Sequence, residues 1–123
     1  LHWTAPQIWE EAGDWRRAAR LAAAMADAFR GADAPMRVVS WHLGEAAGVL
    51  RRRLEALQEL PLHEAAHHTA EVALTSQALL GASSLAHADI LDEALDRLCS
   101  GAELVARSSP VMMGMGSDRG AEE

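Results

Sequence analysis

The residues whose types and spacing could carry chemistry lie close together near the middle of the chain. His63, Glu64 and His67 form an HExxH pattern within the stretch from Leu62 to Leu80. On a helix, two histidines at this spacing can hold a zinc ion while the intervening glutamate acts on a metal-bound water. The pattern therefore supports one specific hypothesis, a metal-binding or hydrolytic site with His63 and His67 as ligands and Glu64 as the catalytic group.

The same residues suit the exposed side of a helix equally well. His63, His67 and Glu71 follow one another at intervals of four residues, which places them on one helix face. A zinc site would also need a ligand from another helix, for which the candidates are His42, His87, Asp89 and Glu93. We interpret the histidine face as solvent-exposed, with no catalytic residue and no cofactor, and keep zinc binding as the alternative.

Helices are the elements that must position any such site. The chain has 123 residues, of which 50% are hydrophobic and only 4% are aromatic. Alanine and leucine dominate the apolar content, and both favour helices, whereas the residues that favour strands are sparse. A chain of this length is expected to form one domain that buries about two thirds of its unfolded surface. The composition predicts a single all-α domain.

Charge and cysteine usage narrow the classes of partner and compartment. The net charge of -7 argues against nucleic acid and membrane surfaces as partners. No apolar run reaches the roughly 20 residues that a membrane span needs, and no signal peptide opens the chain. The single Cys99 excludes an internal disulfide and fits a reducing compartment. We expect a cytoplasmic protein, or one exported without a cleavable signal; the absence of Lys, Asn and Tyr favours a GC-rich bacterial source.

Capping and breaking residues divide the chain into four predicted helices. Thr4 and Gln7 form a capping box at the start of the first helix, which continues to a stop at Gly31. Gly13 weakens that helix by about 1 kcal/mol relative to alanine and could break it. The second helix is predicted over residues 33–60, because a proline follows it directly.

The remaining two helices complete the predicted fold. The third is the histidine stretch, which ends at Gly81, and Ser83 or Ser84 caps the fourth. Short connections and narrow apolar stripes favour an antiparallel four-helix bundle over residues 1–107, or three long helices if the break at Gly81 is absent. Residues 108–123 alternate glycine with methionine without any period, which predicts a disordered tail.

Two tryptophans lie outside the apolar stripes of their helices. Trp9 is displaced from the stripe of the first helix, and Trp41 projects away from the stripe of the second. Gly44 and Gly48 are spaced to let a neighbouring helix approach closely. Large apolar groups away from the core indicate a partner surface. We predict a non-enzymatic protein that acts by protein–protein interaction, with itself or another helical protein, through Trp41, Trp9 and the two glycines.

One stretch of the second helix resembles a known family. Trp41-His42-Leu43-Gly44, followed by AAGVLRRRLEAL, looks like the WXG100-type helical hairpins of type VII secretion. The resemblance covers roughly residues 16 to 80. It implies a small exported helical partner protein in which Trp41 and Gly44 are hairpin residues and no residue is catalytic.

Overall fold

The structure is a computed structural model that describes residues 3–81 and 84–108. Within these ranges it contains helices and no strand, so the predicted all-α class is confirmed. The helices are α1 (Ala5–Glu11), α2 (Trp15–Gly31), α3 (Met36–Ala56), α4 (Leu62–Leu80) and α5 (Leu85–Ser108), and a short 3₁₀ turn at Leu57–Glu59 follows α3.

The helix predicted to run from Thr4 to Gly31 is divided at Gly13. Its start is as predicted, because the Thr4 hydroxyl accepts from the Gln7 amide and the Thr4 amide donates to Gln7 Oε1. Gly13 has a φ of +92°, a backbone conformation that glycine adopts without strain. Asp14 then caps α2 by accepting from the backbone N–H of Arg17. The described part of the chain therefore has five helices, not the predicted four.

The predicted break at Gly81 is present. Gly81 has a φ of +82° and ends α4, so α4 and α5 are separate helices. Ser84 starts α5, where its hydroxyl accepts from the backbone N–H of His87 at 3.4 Å. The predicted disordered tail falls almost entirely on residues 109–123, which lie outside the described ranges.

The centre of the molecule is an alanine-lined contact between α2 and α3. On α2 the fully or nearly fully buried residues are all alanines: Ala18, Ala19, Ala22, Ala23 and Ala26. They face Ala46, Ala47, Leu50 and Leu54 of α3, and Val72 and Ile90 add apolar groups from α4 and α5. Because alanine has no side chain beyond Cβ, the two helices can approach closely, and most of the apolar volume comes from α3.

Polar contacts join α5 to its neighbours. Ser76 Oγ of α4 lies 2.8 Å from His87 Nδ1 of α5, and both residues are buried. The guanidinium of Arg97 donates to the backbone carbonyl of Leu54 at 3.0 Å and also to Glu93 on its own helix. These contacts satisfy buried polar groups that would otherwise destabilise the fold.

Candidate functional site

A groove runs between α1 and α3. The cavity has a volume of about 390 Å³. Its lining consists of Pro6, Gln7, Glu10, Trp41, Gly44, Glu45, Gly48, Val49 and Arg52. Three of the four residues predicted for a partner surface, Trp41, Gly44 and Gly48, thus meet in one cavity.

The floor of the groove is formed by α3. Trp41, Gly44 and Gly48 recur at intervals of three and four residues, which places them on one helix face. A Cβ added at Gly44 would have no atom within 4 Å, whereas one added at Gly48 would lie 3.2 Å from Nη1 of Arg52. The Trp41 side chain is 57% exposed. A bulky indole therefore stands beside two glycines, at which the floor carries no side chain.

The opposite wall is α1, which is attached to α3 through polar side chains. Arg52 donates to both carboxylate oxygens of Glu10, at 2.7 and 2.8 Å. This hydrogen-bonded contact with Glu10 raises the pKa of Arg52, against a smaller opposing effect of partial burial. At the other end, the Thr4 hydroxyl donates to Glu45 Oε2 at 2.9 Å. In α1, which is described throughout, Pro6 is the one buried side chain.

A small aromatic cluster beneath the groove supports Trp41. The ring of His42 is stacked on Phe29, with centroids 5.0 Å apart, and meets the Trp41 ring edge-on at 4.9 Å. His42 Nδ1 lies 3.7 Å from Oε1 of Glu45, and neither atom has a hydrogen-bond partner among the described residues. The ring contact with His42 orients Trp41 toward solvent, and the Glu45 carboxylate is almost completely buried.

The lining of this groove is suited to binding. It contains no serine, cysteine or histidine that could act as a nucleophile. Of its two carboxylates, Glu10 is held by Arg52 and Glu45 accepts from Thr4. What remains free is the face of the Trp41 indole, the open space over Gly44 and Oε1 of Glu45. The first two suit an apolar side chain of a partner.

Glu10 and Glu45 were missed as site residues in the sequence, and His42 was considered only as a possible zinc ligand. Glu45 lies four residues after Trp41, so helical spacing was a signal that it shares the Trp41 face. No comparable signal exists for Glu10, because its place in the groove depends on how α1 turns back at Gly13.

Trp9 lies outside the groove, although it was predicted to share the partner surface. Its side chain is 36% exposed, and the guanidinium of Arg17 is stacked 4.3 Å from its ring centroid. This cation–π contact attaches α1 to α2. A partner role for Trp9 stays a prediction that is separate from the groove.

The predicted histidine site lies on α4 and is largely exposed. His63 and Glu64 project into solvent, and Nε2 of His67 lies 3.9 Å from Oε2 of Glu71. Glu71 is engaged more closely by its other neighbours, with His68 Nδ1 2.8 Å from Oε1. Arg16 of α2 also donates to Oε2 of Glu71 at 3.1 Å.

These contacts lower the pKa of Glu71. The hydrogen bond with His68 is the largest cause, and the hydrogen bond and positive charge of Arg16 add to it. The Glu71 carboxylate therefore serves as a link between α2 and α4.

Of the four suggested third ligands, His42 and His87 are engaged elsewhere. His42 lies under Trp41, and His87 is buried against Ser76. Within residues 3–81 and 84–108, no group of three or more His, Cys, Asp or Glu side chains is placed to hold a metal ion. Zinc binding by His63 and His67 stays a prediction.

Comparisons with known proteins gave no match, so inferences about function rest on the groove. No protein-family model matches the chain, and neither the curated proteins nor the solved structures include a match. In the part of the chain that the structure describes, no helix combines the length and apolar character needed to cross a membrane.

Proposed function

We propose that this chain is a small non-enzymatic helical protein that acts by protein–protein interaction and self-associates through the groove between α1 and α3. The observation that carries the proposal is the groove itself, with an exposed Trp41 beside the open space at Gly44. Tryptophan is the residue type most enriched among those that dominate binding energy at interfaces, and such residues typically fill pockets on the partner.

The distribution of apolar side chains supports this proposal. The centre of the molecule is lined by alanines, each of which buries little area. Within the groove, the large apolar side chain of Trp41 remains 57% exposed. The proposal treats α2 to α5 as an antiparallel four-helix bundle, to which α1 adds one wall of the binding site.

Sedimentation of the full chain at concentrations from about 1 μM to about 1 mM tests the proposal. We expect the weight-average mass to rise with concentration in the wild type. Trp41→Ala should weaken this association more than tenfold, because it removes the main apolar contact. Leu74→Ala is the matched control, since Leu74 is 71% exposed on α4 and is not part of the groove.

Two outcomes would contradict self-association through the groove. A wild type that stays monomeric at the highest concentration removes self-association, and would favour a different helical partner of the kind implied by the resemblance to type VII secretion proteins. A loss of association in Leu74→Ala as large as that in Trp41→Ala would place the contact on another face.

The same measurement addresses the metal-binding alternative. His63 and His67 lie one helical turn apart on the exposed face of α4, a spacing at which two imidazoles can ligate one zinc ion. We expect the oligomeric state to be unchanged by one equivalent of zinc or by a chelator. A mass that rises with zinc in the wild type, and does not rise in the His63→Ala, His67→Ala double variant, would favour the metal-binding function.

A further inference from the structure

We infer that His42 and Glu45 form a pH-sensitive contact, which attaches the start of α1 to α3 when His42 carries a proton and releases it when His42 is neutral. Because α1 is one wall of the groove, this contact controls the groove from inside the fold. The inference concerns the single chain, so it does not depend on the self-association proposed above.

His42 and Glu45 face each other inside the fold without a hydrogen bond between them. Nδ1 of His42 lies 3.7 Å from Oε1 of Glu45, and both atoms are buried without a hydrogen-bond partner in the described part of the chain. The two side chains are only 11% and 10% exposed. A buried polar atom without a partner destabilises a fold, and a charged one does so more strongly. The carboxylate of Glu45 is therefore only partly compensated.

A proton on His42 completes this contact. The protonated imidazole has an N–H group at both ring nitrogens, so Nδ1 donates to Oε1 and a positive charge lies beside the carboxylate. The neutral ring supplies at most an uncharged donor, and with its hydrogen on Nε2 it presents an acceptor to an acceptor. The ring is already in place, because it is stacked on Phe29 with centroids 5.0 Å apart.

The second carboxylate oxygen of Glu45 connects this contact to α1. The Thr4 hydroxyl donates to Oε2 at 2.9 Å, and Thr4 is also the N-cap of α1. When His42 is protonated, the carboxylate is held from both sides. When His42 is neutral, the buried charge gains hydration by turning toward the groove, and the hydrogen bond from Thr4 is lost. The attachment of the start of α1 therefore follows the proton on His42.

The charged groups on the helix segments packed around this contact form pairs of their own. On α1 and α3, Glu10 accepts two hydrogen bonds from Arg52, which interacts with the carboxylate of the contact only through its charge. At the end of α2, Asp27 and Arg30 form an ion pair at 2.8 Å. The end of α4 that packs near this part of α3, residues 76–81, has no charged side chain. Within these segments, a proton on the histidine is the change that gives the carboxylate a charged donor.

The pH dependence of this contact has a definite direction. Histidine exchanges its proton between about pH 5 and 8, so the contact is complete on the acidic side of this range and is lost as the pH rises. Glutamate is protonated below about pH 4.3, which removes the negative charge and weakens the contact again. We therefore expect α1 to be attached most firmly at about pH 5–6.

Amide hydrogen exchange, followed by mass spectrometry at about 1 μM protein, tests the inference because it reports the opening of α1 separately from that of α2. Protection factors remove the direct effect of pH on amide exchange. In the wild type, the protection of α1 should fall by roughly threefold or more between about pH 5.5 and pH 8, and that of α2 should change less.

Two variants separate the roles of the pair. His42→Asn keeps an amide donor near the position of Nδ1 but cannot take up a proton, so α1 should be as weakly protected at pH 5.5 as the wild type is at pH 8. Glu45→Gln keeps an acceptor for Thr4 and has no charge to hydrate, so α1 should stay protected at both pH values. His63→Asn is the matched control, since His63 is exposed on α4, and it should respond as the wild type does.

An NMR titration of the wild type follows the imidazole directly, so the test does not depend on the folding of any variant. The ring carbon signals of His42 and the indole N–H signal of Trp41 should change with one midpoint, because the two rings are in contact. The loss of α1 protection should share that midpoint. A His42 ring that titrates while α1 protection stays constant overturns the inference, and so does a ring that stays neutral down to about pH 5. Wild-type pH dependence in a folded His42→Asn variant also overturns it.

Discussion

Two helices, α1 and α2, flank α3, and they are attached to it in different ways. The face that meets α2 carries Ala46 and Ala47, and it is closed completely, with both residues fully buried. The face that meets α1 carries Gly44 and Gly48, which lack even a Cβ, yet a cavity of about 390 Å³ remains there. Small residues on α3 therefore allow a neighbouring helix to approach closely. Whether it does so depends on the side chains of that neighbouring helix.

The reason lies in what each flanking helix contributes. The α2 helix presents a row of buried alanines along its 17 residues, so apolar contact draws it against α3. The α1 helix has seven residues and buries only Pro6, while Glu10 and Thr4 contact α3 through their polar ends. Because Glu10 and Arg52 are long side chains that contact each other at their ends, they hold the backbones of α1 and α3 apart. The space beneath them becomes the groove.

The largest effect is expected when a side chain on the closely packed face of α3 is enlarged. Ala47→Leu should lower the free energy of unfolding by about 1–3 kcal/mol, because the added atoms have no space between α2 and α3. Urea unfolding followed by circular dichroism measures the change. An Ala47→Leu variant as stable as the wild type would mean that the two faces of α3 do not differ in packing.

The matched substitution on the open face should have the opposite sign. Gly44→Ala should raise the free energy of unfolding by about 0.5–1 kcal/mol, since alanine favours the helix and its Cβ meets no atom within 4 Å. The measurement is made at a concentration below the association range, so that only the single chain is compared. Destabilisation by Gly44→Ala would show that the groove is narrower than described.

The attachment of α1 gives a smaller effect. Arg52→Gln removes the pair with Glu10 and should lower stability by about 0.2–1 kcal/mol, because both side chains remain partly exposed. Hydrogen exchange should show faster exchange in α1 and unchanged exchange in α2. Arg51→Gln is the control, since Arg51 pairs with Asp89 at 3.8 Å, away from the groove. Equal effects of both variants on α1 exchange would contradict the role given to Glu10 and Arg52.

The sequence predicted those features of the fold that depend on local chemistry. The capping box at Thr4 and the break at Gly81 follow from backbone preferences that hold wherever these residues stand, and Gly13 could be identified as a weak point of the first predicted helix. Helical spacing places Ala19, Ala22 and Ala26 on one face of α2 and Leu50 and Leu54 on one face at the end of α3, and all five residues are buried.

Helix orientation was harder to predict. Ile8 shares a helical spacing with Trp15 and Ala19 that would place it in the core, but it is 54% exposed, because the break at Gly13 changes the direction of the chain. In α5, helical spacing aligns Leu91, Leu95 and Leu98 on one apolar face. Ile90 and Ala94 occupy the core instead, and Leu95 is 50% exposed. Two neighbouring apolar stripes lie on α5, and spacing alone cannot choose between them.

Only the part of the candidate site that lies on a single helix could be predicted from the sequence. Trp41, Gly44 and Gly48 belong to α3, so their common face follows from the sequence. The other wall comes from Glu10 on α1, and its distance from α3 is a property of tertiary packing. His63 and His67 also share a helix face, but the described residues supply no third ligand beside them, so zinc binding there stays a prediction.

The smallest predicted effect concerns a third polar link, from Arg16 of α2 to Glu71 of α4. His68 and Arg16 lower the pKa of Glu71 in the folded chain, so its charged form stabilises the fold at pH values above the ordinary glutamate pKa of about 4.3. That contribution is lost as the pH falls through the lowered pKa. Glu71→Gln should therefore destabilise the protein by a few tenths of a kcal/mol, roughly, at pH 7, and this difference should shrink as the pH is lowered from 7 to 3.

Urea midpoints of the wild type and Glu71→Gln across this pH range measure the difference, with Glu64→Gln as the exposed control on the same helix. A difference that is as large at pH 3 as at pH 7 would contradict a charge-dependent link. Its loss on acidification would instead show that α4 is attached to α2 partly through charge, as α1 is attached to α3, whereas the contact between α2 and α3 depends on apolar packing and should respond little to pH.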